Sequence, residues 1–140
     1  MKKFLISFLV FFSFSIMASA QGYYYDENQY EQQKAQASIT FKNRSDYSMV
    51  VKIIKSYGGL YTTVYLGAQS SRTVTFDHSS SYKLKIKATH NGRTSYHKGG
   101  DFSVTCTERE WTEGSMEFRM STYGSGLGPT ISAKEFEKNN

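Results

Sequence analysis

Tyr82-Lys83-Leu84-Lys85-Ile86-Lys87-Ala88 alternates apolar and basic residues without a break. Tyr82, Leu84, Ile86 and Ala88 share one face and Lys83, Lys85 and Lys87 the other. This is the period-two pattern of a half-buried β-strand. The apolar face needs a second layer to cover it. The basic face is a surface whose meaning depends on the strand's neighbours.

The run continues into Thr89-His90-Asn91-Gly92-Arg93, and Asn-Gly between strand-like runs is a strong hairpin signal. Two registers are open. A two-residue Asn91-Gly92 turn sets His90 opposite Arg93 and Ile86 opposite His97, leaving Tyr96 among the lysines. A three-residue loop sets Thr89 opposite Arg93 and Ile86 opposite Tyr96. A slip of one residue exchanges the faces of every side chain. Burial of Tyr96 in place of His97 removes more apolar surface from water, so the three-residue loop is the expected one. Arg93 then joins Lys83, Lys85 and Lys87.

Upstream, residues 38–43 place Ile39 and Phe41 on one face, and the polar residues 43–46 form a turn. Residues 48–56 carry apolar side chains on both faces, as a central strand does. Residues 57–59 turn, residues 61–66 return, and residues 72–76 point Val74 and Phe76 inward. Downstream, Gly99-Gly100 is a bulge, kink or turn. Residues 101–107 and 115–120 are the last strands, with Met116, Phe118 and Met120 inward. Ser132 to Glu135 has capping-box spacing, which predicts a short helix over 132–137 with Phe136 as its anchor.

About eight short strands with turns every 8–12 residues give an all-β chain. The expected fold is a two-sheet antiparallel immunoglobulin-like sandwich, with a small β-barrel as the alternative. In strand count and rhythm the chain resembles immunoglobulin-like and transthyretin-like exported modules, without shared motif residues.

Residues 1–20 have the three parts of a secretory signal peptide: basic Lys2-Lys3, an apolar run, and Ala18-Ser19-Ala20 as the cleavage site. Cleavage after Ala20 predicts a secreted or periplasmic protein with no integral membrane segment. Residues 21–36 form a polar, Tyr-rich leader expected to be disordered. Residues 37–121 form the sandwich, and residues 122–140 a Gly-rich connector and tail. Removing Lys2 and Lys3 from 17 basic side chains leaves 15 against 12 acidic, a net charge of +3. So mild a balance does not favour nucleic acid as a partner.

Cys106 is the only cysteine, so the domain is held by packing without an internal disulfide. It alternates with Phe102 and Val104 and is expected to be buried and inert. No nucleophile or phosphate-loop motif is present. His78, His90, His97, Cys106, Met116 and Met120 have no metal-ligand spacing, so neither a metal nor another cofactor is expected.

Two features remain as candidate binding sites. Lys83, Lys85, Lys87 and Arg93 form a basic face suited to an anionic surface or glycan, or else they guard an edge strand. Trp111, in a charged loop, suits stacking on a ligand or covering one end of the core. The chain therefore reads as an exported, non-catalytic binding or interaction module with a protein or polyanionic partner. The alternative is an assembly subunit that contacts its neighbours through the leader or tail.

Overall fold

The computed structural model describes residues 15–16, 36–121 and 124–140. The expected leader, residues 21–36, lies outside the described residues except for Gln36. So does the expected signal peptide apart from Ser15 and Ile16.

The strands are β1 (Ser15–Ile16), β2 (Ala37–Asn43), β3 (Ser48–Lys55), β4 (Leu60–Leu66), β5 (Ser71–Phe76), β6 (Ser80–His90), β7 (Arg93–Val104), β8 (Thr112–Phe118), β9 (Met120–Ser121) and β10 (Gly124–Ser125). Among the described residues one helix follows, α1 (Ala133–Glu137). They form a β-sandwich. One sheet has the order β4-β3-β6-β7; the other has β8-β2-β5, with the two-residue β1 on the outer edge of β8. The pairs are antiparallel except β2–β8, which run parallel. β9 and β10 make a separate ribbon.

In an immunoglobulin constant domain the first, second, fourth and fifth of seven strands share a sheet. Here, counting from β2, the second, third, fifth and sixth share one, and the first, fourth and seventh the other. The likeness to immunoglobulin domains is thus one of two-sheet architecture.

Alternation along each strand builds the core. Ile39 and Phe41 of β2, Met49, Val51 and Ile53 of β3, and Tyr82, Leu84, Ile86 and Ala88 of β6 are all buried in one cluster. Phe41 stacks on Phe118 with ring centroids 6.1 Å apart, and Phe76 meets Tyr82 at 5.0 Å. Such pairs each add about 0.5–1.5 kcal/mol beyond the area they bury.

The first turn is held by a buried amide. Asn43 Nδ2 donates to the carbonyls of Tyr47 at 2.6 Å and Gly67 at 3.0 Å, and Oδ1 accepts from the Ser45 amide and hydroxyl. One side chain thereby ties the β2–β3 turn to the β4–β5 connection.

The hairpin register differs from the expected one. His90 pairs with Arg93 and Ile86 with His97, around a two-residue turn in which Asn91 (φ 50°) and Gly92 (φ 75°) are both left-handed. That is the hairpin turn whose twist matches the flanking strands. Burial of Tyr96 in place of His97 does not decide the register, because Tyr96 finds cover against Phe136 on the outer face and the break at Gly99-Gly100 returns Phe102 and Val104 to the core. Lys85 faces Lys98 and Lys83 faces Asp101, so residues 99 and 100 together oppose Leu84. This bulge reverses the alternation of β7. His97 points inward on one side of it, and Phe102 and Val104 point inward on the other. Gly99 is required there, because a Cβ would lie 2.8 Å from Leu84 Cβ.

The strand expected over residues 101–107 ends at Val104 as part of the longer β7, and the one expected over 115–120 begins at Thr112. Cys106 is half-buried beside the core in place of fully buried.

Candidate functional site

β6 lies between β3 and β7, so its lysines do not guard an edge. Lys52, Lys85 and Lys98 stand side by side across β3, β6 and β7. Like charges directly opposite one another repel. Lys52 and Lys85 are nevertheless only 8% and 5% exposed.

Their partners come from the C-terminal segment. Lys85 Nζ donates to the main-chain carbonyls of Glu135 and Lys138, both at 2.8 Å, and meets Glu135 Oε1 at 3.4 Å. Lys52 Nζ donates to the Phe136 carbonyl at 2.8 Å and lies 5.1 Å from the centre of its ring. The Glu135 and Phe136 carbonyls lie in the last turn of α1, which leaves carbonyls short of donors, and Lys138 is its C-cap, whose amide also reaches the Glu135 carbonyl at 3.2 Å. Burial pushes the Lys52 ammonium below the usual lysine range, with Glu137 opposing the shift.

α1 is marginal by length and held by docking. Ser132 Oγ caps it by accepting from the Glu135 amide, and Phe136 is buried with its ring 5.3 Å from that of Tyr96. Tyr96 therefore finds its apolar contact on the outer face of the sheet. Residues before α1 run along β7: the Lys98 amide donates to the Pro129 carbonyl at 2.8 Å, and the Ile131 amide to the Tyr96 carbonyl at 2.9 Å. The tail closes the outer edge of β7.

Of the expected basic face, Lys83 and Lys87 remain half-exposed on the outer surface, and Lys85 is taken up by the tail. Arg93 does not join them. Paired with His90, it shares the inward parity of β6 at the exposed hairpin tip, while Lys98 takes its place in the row. The two-residue turn register accounts for the exchange.

Trp111 is half-buried against the core, in a bridge with Cys106, and its Nε1 donates to Glu113 Oε1 at 3.1 Å. The three histidines lie apart. His78 Nδ1 is 2.6 Å from Asp77 Oδ1 in an exposed loop. His90 packs on Tyr47 with centroids 4.7 Å apart. Buried His97 has Nε2 2.8 Å from Ser95 Oγ and Nδ1 3.3 Å from the Gly128 carbonyl, and burial lowers its pKa. Among the described residues no three His, Cys, Asp or Glu side chains cluster as metal ligands.

The opposite side of the sandwich is different. There the outer edges of β4 and β5 lie next to each other, and among the described residues no strand pairs with either. A groove runs between them, lined by Tyr61, Thr63, Tyr65, Arg72, Val74 and neighbours. Two side chains cross it: Tyr61 Oη donates to the Thr75 carbonyl at 2.7 Å, and Arg72 Nε to the Tyr65 carbonyl at 3.0 Å.

β4 reads Leu60-Tyr61-Thr62-Thr63-Val64-Tyr65-Leu66 and carries no charge, unlike β2, β3 and β5 to β8. Among the described residues the large exposed apolar ones, Tyr57 (74%), Leu60 (39%) and Tyr65 (65%), lie on β4 or the turn before it. Edge strands are ordinarily blunted by lysine, proline or a bulge that twists them away. The bulge at Ile53/Ile54 affects only the start of β4, leaving Thr62 to Leu66 regular. The composition of this strand is plain in the sequence; its place at an edge is not.

Comparison with protein-family models, with curated proteins and with solved structures finds no match for this chain.

Proposed function

We propose that the protein is an exported, non-catalytic β-sandwich module that binds an extended polypeptide along the edge of β4. Export rests on the signal-peptide pattern of residues 1–20. The observation that carries the binding reading is β4 itself: an uncharged, Tyr-rich edge strand facing an open groove. Strand addition takes its affinity from main-chain hydrogen bonds and its selectivity from alternate side chains. The groove supplies threonines and tyrosines for the second task.

An anionic partner on the lysine face is supported less well. The central ammonium of that face, on Lys85, already holds two carbonyls and a carboxylate.

Panning a displayed library of short peptides on the mature chain tests the reading. Wild type should enrich β-prone apolar–polar sequences, and Tyr65→Lys should lose them while Lys83→Glu/Lys87→Glu keeps them. Enrichment of acidic peptides that vanishes only in the lysine variant would sink the proposal in favour of a polyanion site.

A further inference from the structure

We infer that the occupant of the β4 edge is a second copy of this chain, paired antiparallel about Thr63. This rests on the reading of β4 as a strand acceptor and names its partner.

The backbone directions come first. The Lys55 amide donates to the Gly59 carbonyl, and the Ser56 amide to the Ser81 carbonyl. Odd residues of β3 therefore bond toward β4 and even residues toward β6, because successive residues of a strand bond to opposite sides. The pairs Ile53–Thr62, Val51–Val64 and Met49–Leu66 are then the hydrogen-bonded ones, while Lys52–Thr63 and Val50–Tyr65 are not. The N–H and C=O of Thr63 and Tyr65 point out of the sheet. The reach of Arg72 to the Tyr65 carbonyl confirms that direction, and it leaves that carbonyl a second lone pair. Among the described residues no side chain donates to the Thr63 carbonyl in this way.

Two-fold symmetry then imposes its own requirement. An isologous pair sets each residue against the symmetry mate of its counterpart, so a charge near the axis meets its own kind. β4 has none. It is also close to a palindrome about Thr63: Leu60 falls opposite Leu66, Tyr61 opposite Tyr65 and Thr62 opposite Val64. At the centre, Thr63 and Thr63 of the partner subunit exchange two N–H···O bonds, the hydrogen-bonded antiparallel pair. The result is one continuous sheet of eight strands, with the order β7-β6-β3-β4 repeated in reverse. The edges of the other sheet lack this self-match: β5 carries Arg72 in its Ser71–Phe76 run, and β8, paired by β1 only at Thr112 and Glu113, carries Glu117.

Sedimentation of the mature chain across a concentration series tests the pairing. Wild type should form a dimer. Thr63→Pro removes only an outward N–H, a change an edge strand tolerates, and should leave a folded monomer. If Thr63→Pro fails to fold, Thr63→Glu and Thr63→Lys serve instead. Each alone should weaken the dimer about fivefold or more, and an equimolar mixture should restore it as a heterodimer by native mass spectrometry.

A wild-type chain that stays monomeric to about 1 mM overturns the second copy as occupant. So does a dimer that survives these substitutions. If library peptides still bind β4 in that case, the strand-acceptor reading stands with a different occupant. If they do not, both fall.

Discussion

Lys85 Nζ lies 2.8 Å from the main-chain carbonyl of Glu135, fifty residues away in sequence. A lysine in the middle of a sheet thus adds a charged donor to the C-terminal end of α1, beside the Lys138 amide that caps the same carbonyl. Lys85→Met keeps the apolar stem and removes the donor for two carbonyls and a carboxylate. Hydrogen bonds to charged groups contribute about 1.5–3 kcal/mol each, and water recovers part of that for carbonyls at a helix end. Urea unfolding should show a net loss of about 2 kcal/mol. Amide exchange should rise selectively over residues 133–138.

Gly128 holds φ at 96°, and a Cβ there would lie 2.2 Å from the Lys98 carbonyl. Ala at this position is strained by its backbone and blocked by its side chain, so Gly128→Ala should cost more than about 1 kcal/mol. The damage should be local. The Lys98 and Ile131 amides, which tie the tail to β7, should lose protection before the β3 and β6 amides do.

His97 is buried and its pKa lies below the ordinary 6.5. As pH falls through 6.5 the unfolded chain binds this proton first, so the unfolded state is favoured. The contribution of His97 to stability is thus present above pH 6.5 and is lost as pH drops toward its folded-state pKa. Unfolding free energies measured between pH 7.5 and about pH 5 should show this slope. His97→Gln should flatten it while leaving the acid loss due to carboxylates.

Tyr82 is fully buried and its hydroxyl has no hydrogen bond of ordinary geometry. Burial raises its pKa above 10.0, and the Ser80 hydroxyl nearby only partly offsets this. Tyr61 is raised by the same cause. The folded state holds both protons above pH 10.0, where the unfolded chain releases them, so stability falls as pH rises further. Tyr82→Phe removes an unsatisfied buried group. It should raise stability by up to about 1–2 kcal/mol at neutral pH and shift alkaline unfolding upward, followed by absorbance at 295 nm.

Asn43 is 1% exposed and serves five polar groups through its amide, including the Leu66 carbonyl. Asn43→Ala removes the shared donor of three carbonyls and the acceptor of the Ser45 amide and hydroxyl, and should cost about 2–4 kcal/mol by chemical denaturation. Asn43→Asp should be comparably damaging, since a carboxylate cannot donate to the carbonyls of Tyr47, Leu66 and Gly67.

The strands were legible where alternation was local. Residues 82–88 announce one buried face, and every apolar member of that face is in the core. The doubly apolar 48–56 run is a central strand, and the capped turn with Phe136 is a helix. The register at Asn91-Gly92 does not follow from the burial of Tyr96 against His97, because the bulge that begins at Gly99, seven residues after Gly92, resets which side chains of β7 face the core. A Gly pair signals irregularity but not its form, and only the partner Leu84 shows that two residues face one.

The candidate site was less legible. Lys85 reads as an exposed ligand group because the alternation of β6 turns it away from the core. What covers it is a tail that the sequence presents as a connector. The β4 sequence carries no edge signal, because a run of Thr, Val and Tyr suits a central strand as well as an edge.

By itself the sequence determined that this is an all-β chain, which side chains of β6 and β3 face the core, and where a short capped helix would form. Those follow from periodicity and local turn chemistry, which act over a few residues. Only the tertiary structure decided which strand is an edge, which lysines are buried and where the tail docks. Those depend on contacts such as Lys85 to Glu135 and Gly128 to Lys98, set by the packing of distant segments, for which strand alternation carries no signal.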